Sequence, residues 1–219
     1  MTKQPANSKP TKPNAGSERR PYHHGDLKRA LISVATDLLE QDGAEALSFR
    51  AVARVAGVSQ SAPYNHFASK EDLLATVAEA GFLALTAAQN EAAADGSDAE
   101  DRLTSLGLDY IRFATMHPQL YRLMFGVGLA DWHAYPDVAA AKRATFTPLR
   151  HALADFLPAE TPAAPLEQAA VAAWGLAHGL AMLRIDGSLG GGRPGDPGPE
   201  EAALRLFGRG LRAACGSSG

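Results

Sequence analysis

Ser48-Phe49-Arg50-Ala51-Val52-Ala53-Arg54-Val55-Ala56-Gly57-Val58-Ser59-Gln60-Ser61-Ala62-Pro63-Tyr64-Asn65-His66-Phe67 is the stretch that decides how this chain is read. Two short helical segments flank Gly57, a residue type that adopts the left-handed backbone of a sharp turn without steric cost. Val58 is placed to plug the space between them, and Ser59 to cap the second. Ala53, four residues before Gly57, is small enough for close helix contact. The pattern predicts a helix-turn-helix whose second helix is sized for a major groove. Helical proteins also produce such patterns by chance, so a purely structural turn stays open on this evidence alone.

Helices are predicted on both sides of this motif. Leu27, Leu31, Val34 and Leu38 recur at helical spacing, predicting a first helix from about Asp26, its cap, to Gln41, with Gly43 ending it. Ser69-Lys70-Glu71-Asp72 has the form of a capping box with Asp in place of Glu. It opens a long helix through Leu73, Leu74 and Val77 to about Ala94. Further helices are predicted at about Glu100 to Met116, Gln119 to Phe125, Pro136 to Leu157, Leu166 to Ile185 and Glu200 to Ala214. The Gly- and Pro-rich segment from Gly187 to Pro199 reads as loop. No stretch alternates as a strand does, so the chain is predicted to be all-α. The division expected is a flexible basic arm at 1–21, a helix-turn-helix domain at 22–80 and a helical domain at 81–215, joined by the long helix.

Charge and cysteine usage narrow the function classes. The net charge of the 219 residues is only -3, but it is unevenly placed. Through Ala75 there are ten Lys/Arg against eight Asp/Glu, and beyond it eleven against sixteen. A basic start on an acidic body suits contact with a polyanion at one end, although a solvated tail has the same composition. The single cysteine, Cys215, allows no internal disulfide and cannot build a zinc site by itself. No nucleophile–base spacing or His-Glu-x-x-His pattern is present, so no catalytic residue, metal or cofactor is expected. His23-His24 followed by Asp26 has metal-binding residue types, but adjacent histidines do not converge readily on one ion. The apolar run between Glu167 and Arg184 falls short of a membrane span and contains His178. The N-terminus lacks the apolar core of a secretion signal. A soluble, cytoplasmic protein is expected.

From Tyr22 to about Val77 the chain resembles the DNA-binding domain of the TetR (tetracycline repressor) family. The likeness rests on the apolar first helix, Ala53, Ala56-Gly57-Val58-Ser59, Tyr64, His66-Phe67, and Lys70 followed by Leu73-Leu74. Arg20-Pro21-Tyr22-His23-His24-Gly25-Asp26-Leu27 and Ala62-Pro63-Tyr64-Asn65-His66-Phe67 are similar to one branch of it. That branch carries a Trp-x-x-x-His-Gly signature in its C-terminal domain, matched here by Trp174, His178 and Gly179. The resemblance implies a transcriptional regulator, by family default a repressor. It would bind a pseudo-palindromic operator as a homodimer, paired through its last two helices, and be released by a small molecule.

Candidate DNA contacts follow from the motif. Gln60, Ser61 and Ala62 start the recognition helix, where Gln60 can pair with adenine and Ala62 can meet a thymine methyl. The resemblance gives Tyr64 a phosphate contact and His66 a phosphate or base edge. Packing against the first helix would account for Tyr64 as well. Lys70 at a helix start and Arg50 near the start of the second helix suit phosphates, and Arg19 and Arg20 on the arm suit a minor groove. Pro63 departs from the broad family and removes a backbone donor early in the recognition helix. In the C-terminal domain Phe113, Met116, Tyr121, Phe125 and Trp174 supply large adaptable side chains for an apolar effector, with His178 as polar anchor. Trp132 and His133 belong to the same set. Each would serve equally as plain core. The Ala- and Gly-rich helix from Leu166 is expected to be wholly buried, in a core or between subunits. Two rivals remain: a helical binding protein or enzyme with a vestigial motif, and an architectural DNA binder without effector.

Overall fold

The computed structural model describes residues 24–95, 97–126, 134–189 and 199–216. Among them are α1 (His24–Ala46), α2 (Phe49–Val55), a 3-10 turn (Pro63–Asn65), α3 (Lys70–Asp95), α4 (Ala99–Met116), α5 (Pro118–Phe125), α6 (Pro136–Ala144), α7 (Phe146–Phe156), α8 (Ala163–Ile185) and α9 (Pro199–Gly216). No strand occurs among the described residues, so the all-α expectation holds. The arm with Arg19 and Arg20, His23, Trp132, His133 and 190–198 of the predicted loop lie outside them.

Local chemistry explains most boundaries. In α1 the buried seam is Leu31, Ala35 and Leu39, and the predicted stripe of Leu27, Val34 and Leu38 flanks it. The helix starts before Asp26, which sits in the first turn and pairs with Arg29 instead of capping. A carboxylate there still complements the helix dipole. Gly43 kinks the helix (φ 78°) before it runs on to Ala46. Ser48 caps α2, its Oγ accepting from Ala51 N at 3.2 Å. At α3, Ser69 Oγ accepts from Asp72 N at 3.2 Å, and Asp72 Oδ2 accepts from Ala68 N at 2.8 Å. The predicted reciprocal cap is therefore present, reaching one residue further back than usual.

Two predictions need correction. The single helix from Pro136 to Leu157 is two, α6 and α7, meeting at Thr145. Pro148 has no N–H for the Ala144 carbonyl and its ring crowds that carbonyl. Thr145 Oγ1 instead donates to Lys142 O at 2.7 Å. The third short helix is also not an α-helix. Pro63 cannot donate to Ser59 O, which accepts from Ala62 N at 3.0 Å, and the segment closes as the 3-10 turn.

One buried cluster runs through both halves of the chain. Leu31, Val52, Phe67, Leu73 and Val77 continue into Phe82, Leu85, Tyr110, Tyr121 and Ala181. The α3 helix carries this core across, Val77 facing the helix-turn-helix and Phe82 the C-terminal bundle, both fully buried. A smaller cluster of Leu153, Phe156, Ala169 and Ala170 joins α7 to α8. Arg184 Nε donates to buried Glu200 Oε1 at 2.6 Å, pinning the end of α8 to the start of α9.

A polar link ties the two halves as well. Glu40 on α1 accepts from Gln119 N (3.2 Å) and Leu120 N (2.9 Å), the free donors at the start of α5. A carboxylate at this position satisfies N–H groups that have no helical partner and favours the positive helix end. Replacing Glu40 by Ala is expected to lower unfolding free energy by about 1–2 kcal/mol, read by urea titration.

Candidate nucleic-acid interface and effector cavity

Gly57 takes the left-handed backbone (φ 68°) between α2 and the following turn, and among the described residues no other part of the chain lies within 4 Å of where a Cβ would stand. The constraint is therefore purely conformational. Val58 N returns to Ala53 O at 3.0 Å and locks the turn, and Val58 packs against the core. From here Gln60, Ser61 and Tyr64 project to solvent, with Tyr64 67% exposed. The Tyr64 ring stands edge-on to Phe49 at 4.7 Å between centroids, so packing holds the ring while the hydroxyl end stays outside. The packing partner is thus Phe49 of α2 and not the first helix. His66 is half-buried and Arg50 exposed.

Two candidate residues are placed differently from expectation. Ala62 is only 9% exposed, turned inward with Pro63 because the tight 3-10 geometry rotates it off the outer face. That orientation withdraws it from a thymine methyl. Lys70 Nζ donates to Glu45 O at 3.0 Å, neutralising the carbonyl end of α1, and is half-buried. Phe67, 2% exposed, closes the core as its position predicts.

In the C-terminal bundle four of the six candidate effector residues gather. Phe125 lies 4.8 Å from Tyr121, 5.2 Å from His178 and 6.3 Å from Trp174, centroid to centroid. Their polar ends form one cluster around Tyr110, which sequence reasoning missed. Tyr121 Oη and Tyr110 Oη are 2.9 Å apart. His178 Nδ1 is 2.6 Å from the first and 3.1 Å from the second, and Trp174 Nε1 donates to Tyr110 Oη at 3.1 Å. Phe113 is buried elsewhere, against His117. Met116 is 62% exposed: the inward face of α4 runs through Leu106, Tyr110 and Phe113, which leaves Met116 beside it.

Burial pushes the Tyr110 phenol up to about 12 and raises that of Tyr121 as well. Burial, and then the charge of Lys142, lowers His178. The cluster is therefore neutral, with Nδ1 as an acceptor of phenolic hydrogen. Beyond Trp174 lies a cleft between α3, α4, α7, α8 and α9, lined by Gln89, Gly107, Tyr110, Phe146, Trp174 and Leu204 among others. Its narrow interior is about 40 Å³ within about 570 Å³ of space that includes open solvent. Trp174 alone of the six predicted residues lines it. Gln89 was legible: Phe82, Leu85, Gln89 and Ala92 follow at helical spacing, and all four are buried. Among the described residues no group of three or more His, Cys, Asp or Glu could hold a metal, and no helix is long and apolar enough to cross a membrane.

Two measurements check this geometry. Gly57→Ala should cost about 1–2 kcal/mol by urea unfolding, from the left-handed backbone alone. For His178 the unfolded imidazole, near 6.5, takes a proton more readily than the folded one. Its contribution to stability is complete above that value and is lost as pH falls from there through the lowered folded value. His178→Gln should accordingly flatten the fall in unfolding midpoint between pH 7.5 and 5.5. An equal fall in both proteins would contradict the neutral cluster.

Comparison with known proteins agrees with this architecture. The family model for bacterial regulatory proteins of the tetR family matches residues 31–77, and that for the tetracyclin repressor-like C-terminal domain matches 103–208. No curated protein matches the sequence. A solved protein with unknown function from Rhodococcus sp. RHA1 is 36% identical, covering 89% of this chain and 100% of that one at a TM-score of 0.74. The TetR family transcriptional regulator PfmR from Thermus thermophilus is 20% identical, with 84% and 97% coverage and a TM-score of 0.58. The transcriptional regulator FadR from Bacillus subtilis, in complex with stearoyl-CoA, is 12% identical, with 84% and 97% coverage and a TM-score of 0.63. With helix-turn-helix and C-terminal domain both matched, the chain belongs to the TetR family of non-enzymatic, DNA-binding transcriptional regulators.

Proposed function

We propose that this regulator is a repressor that binds a pseudo-palindromic operator as a homodimer and is released when a small molecule enters its C-terminal domain. The observation that carries the reading is the outward presentation of Gln60, Ser61 and Tyr64 beside a turn fixed by Gly57. In this reading Gln60 and Ser61 meet base edges, and Tyr64, His66 and Arg50 meet phosphates. Lys70 adds positive charge while holding the end of α1. The DNA-binding unit is 22–80 and the effector and dimerisation unit 81–215.

Exposure along α8 supports pairing through the last two helices. Expected to be wholly buried, α8 has one covered side only: Val171 is 60% and Leu183 44% exposed. On that open side no neighbouring atom lies within 4 Å of where a Cβ would stand at Gly175 or Gly179, and the same holds for Gly210 on α9, near Leu206 at 74% exposure. Glycine inside a helix costs roughly 0.5–1 kcal/mol relative to Ala. Nothing among the described residues compensates, whereas close approach of a second copy would.

Effector binding would reach the DNA through α5. Tyr121 ties that helix to the His178 cluster, and Glu40 of α1 holds its first turn. A ligand displacing Trp174 or Tyr110 shifts α5 and, with it, α1. Such coupling needs a difference in affinity between two states, typically about 1–3 kcal/mol. The stearoyl-CoA complex of the Bacillus subtilis regulator supports an effector-binding role for the C-terminal domain.

Gel shifts on the DNA upstream of its own coding region test the reading. The wild-type protein should retard a band that weakens steeply with salt. Gln60→Ala should lose discrimination between sites, and Tyr64→Phe should weaken all sites alike. Gly179→Leu should yield folded monomers by sedimentation and abolish the shift. No retarded band at low salt, or a band unaffected by these changes, would count against it.

A further inference from the structure

The cleft between α3, α4, α7, α8 and α9 holds an unmet hydrogen-bonding group. Gln89 is 5% exposed, lines the cleft, and its Oε1 has no hydrogen-bond partner among the described residues. A buried acceptor without a donor is destabilising, and replacing it by an apolar group of the same shape would relieve that cost. The rest of the lining is apolar or already engaged. Tyr110 Oη receives Trp174 Nε1, and Thr145 Oγ1 donates to Lys142 O. None of the side chains lining the cleft is Asp, Glu, Lys, Arg or His.

Room for a molecule depends on Leu204. A Cβ at Gly107 would stand 2.8 Å from Leu204 Cδ2, so the Leu204 side chain rests directly on the glycine backbone of α4. A larger occupant requires Leu204 to swing off that backbone. The interior of about 40 Å³ otherwise admits a water or two.

Resting on the reading of the C-terminal unit as the effector domain, we infer that this cleft takes an uncharged, mainly hydrocarbon or aromatic molecule that donates a hydrogen bond to Gln89 Oε1. A charged ligand would lose its hydration with no counterion in the lining. A pure hydrocarbon would leave the acceptor unmet. Gln89 lies on α3, the same helix that carries Val77 in the helix-turn-helix core, so occupancy acts directly on the connecting helix.

The full-length protein is titrated calorimetrically with three probes of one shape: 4-butylphenol, butylbenzene and 4-butylbenzoate. The phenol should bind about threefold to tenfold more tightly than the hydrocarbon, and the benzoate most weakly. Gln89→Met should reduce the phenol to the level of the hydrocarbon, with unliganded thermal stability kept or raised. Ala173→Leu, which narrows the cleft, should weaken both neutral probes and serves if Gln89→Met does not fold. Tightest binding by the benzoate, no binding by any probe, or phenol affinity indifferent to Gln89→Met and Ala173→Leu would overturn the inference. Gel shifts in parallel separate the two levels. Gln89-dependent phenol binding that leaves DNA affinity unchanged keeps the site and removes the release mechanism. DNA release by an anion seated in this cleft does the reverse.

Discussion

The closeness of α3 and α5 is the constraint on which the rest of this architecture depends. At Gly81 a methyl group would come within 2.7 Å of Met124 Sδ and 3.0 Å of Leu120 Cδ1. Without that close approach α5 could not lie between the two halves of the molecule. From this position its first turn receives Glu40 of α1 and its Tyr121 hydroxyl reaches His178 of α8. The buried cluster running without interruption along α3 makes the contact stiff. A close-packed core transmits displacement where a loose one would absorb it.

Stiffness of this kind suits a molecule that converts a small event in one place into a change of geometry in another. The Tyr110, Tyr121, His178 and Trp174 cluster lies where four groups from three helices, α4, α5 and α8, meet. Its hydrogen bonds are satisfied and neutral, which makes it a specific lock between those helices. The adjoining cleft, which Tyr110 and Trp174 also line, is by contrast unsatisfied at Gln89. Tyr110 and Trp174 belong both to the satisfied network and to the cleft lining, so occupancy of the cleft bears directly on the network.

Much of this was legible in the sequence where the cause was local. Gly57 at positive φ and Ser69 with Asp72 act within a few residues, and each is where the pattern places it. Pro63 foretold a disturbed recognition segment, and the consequence went further than a distorted first turn, to a single 3-10 turn. Pro148 carried the same information for the break at Thr145, but apolar periodicity on both sides concealed it. Non-local facts were hidden. Glu40 of α1 at the first turn of α5, Tyr110 in the cluster and Leu204 against Gly107 join residues distant in the chain, and no spacing rule pairs them. Helix α8 was read correctly as small and apolar, yet composition did not tell covered from open sides, and one side is open in the single chain.

The claim at the centre of this account is that two copies present their Gln60 to His66 segments to one duplex at a separation set by the C-terminal units. Hydroxyl-radical footprinting on the bound DNA tests it most directly. The account predicts two equivalent protected patches on one face of the duplex, centred one helical turn, about 10–10.5 base pairs, or a whole multiple apart. A single patch, or uniform protection with no spacing, would contradict it.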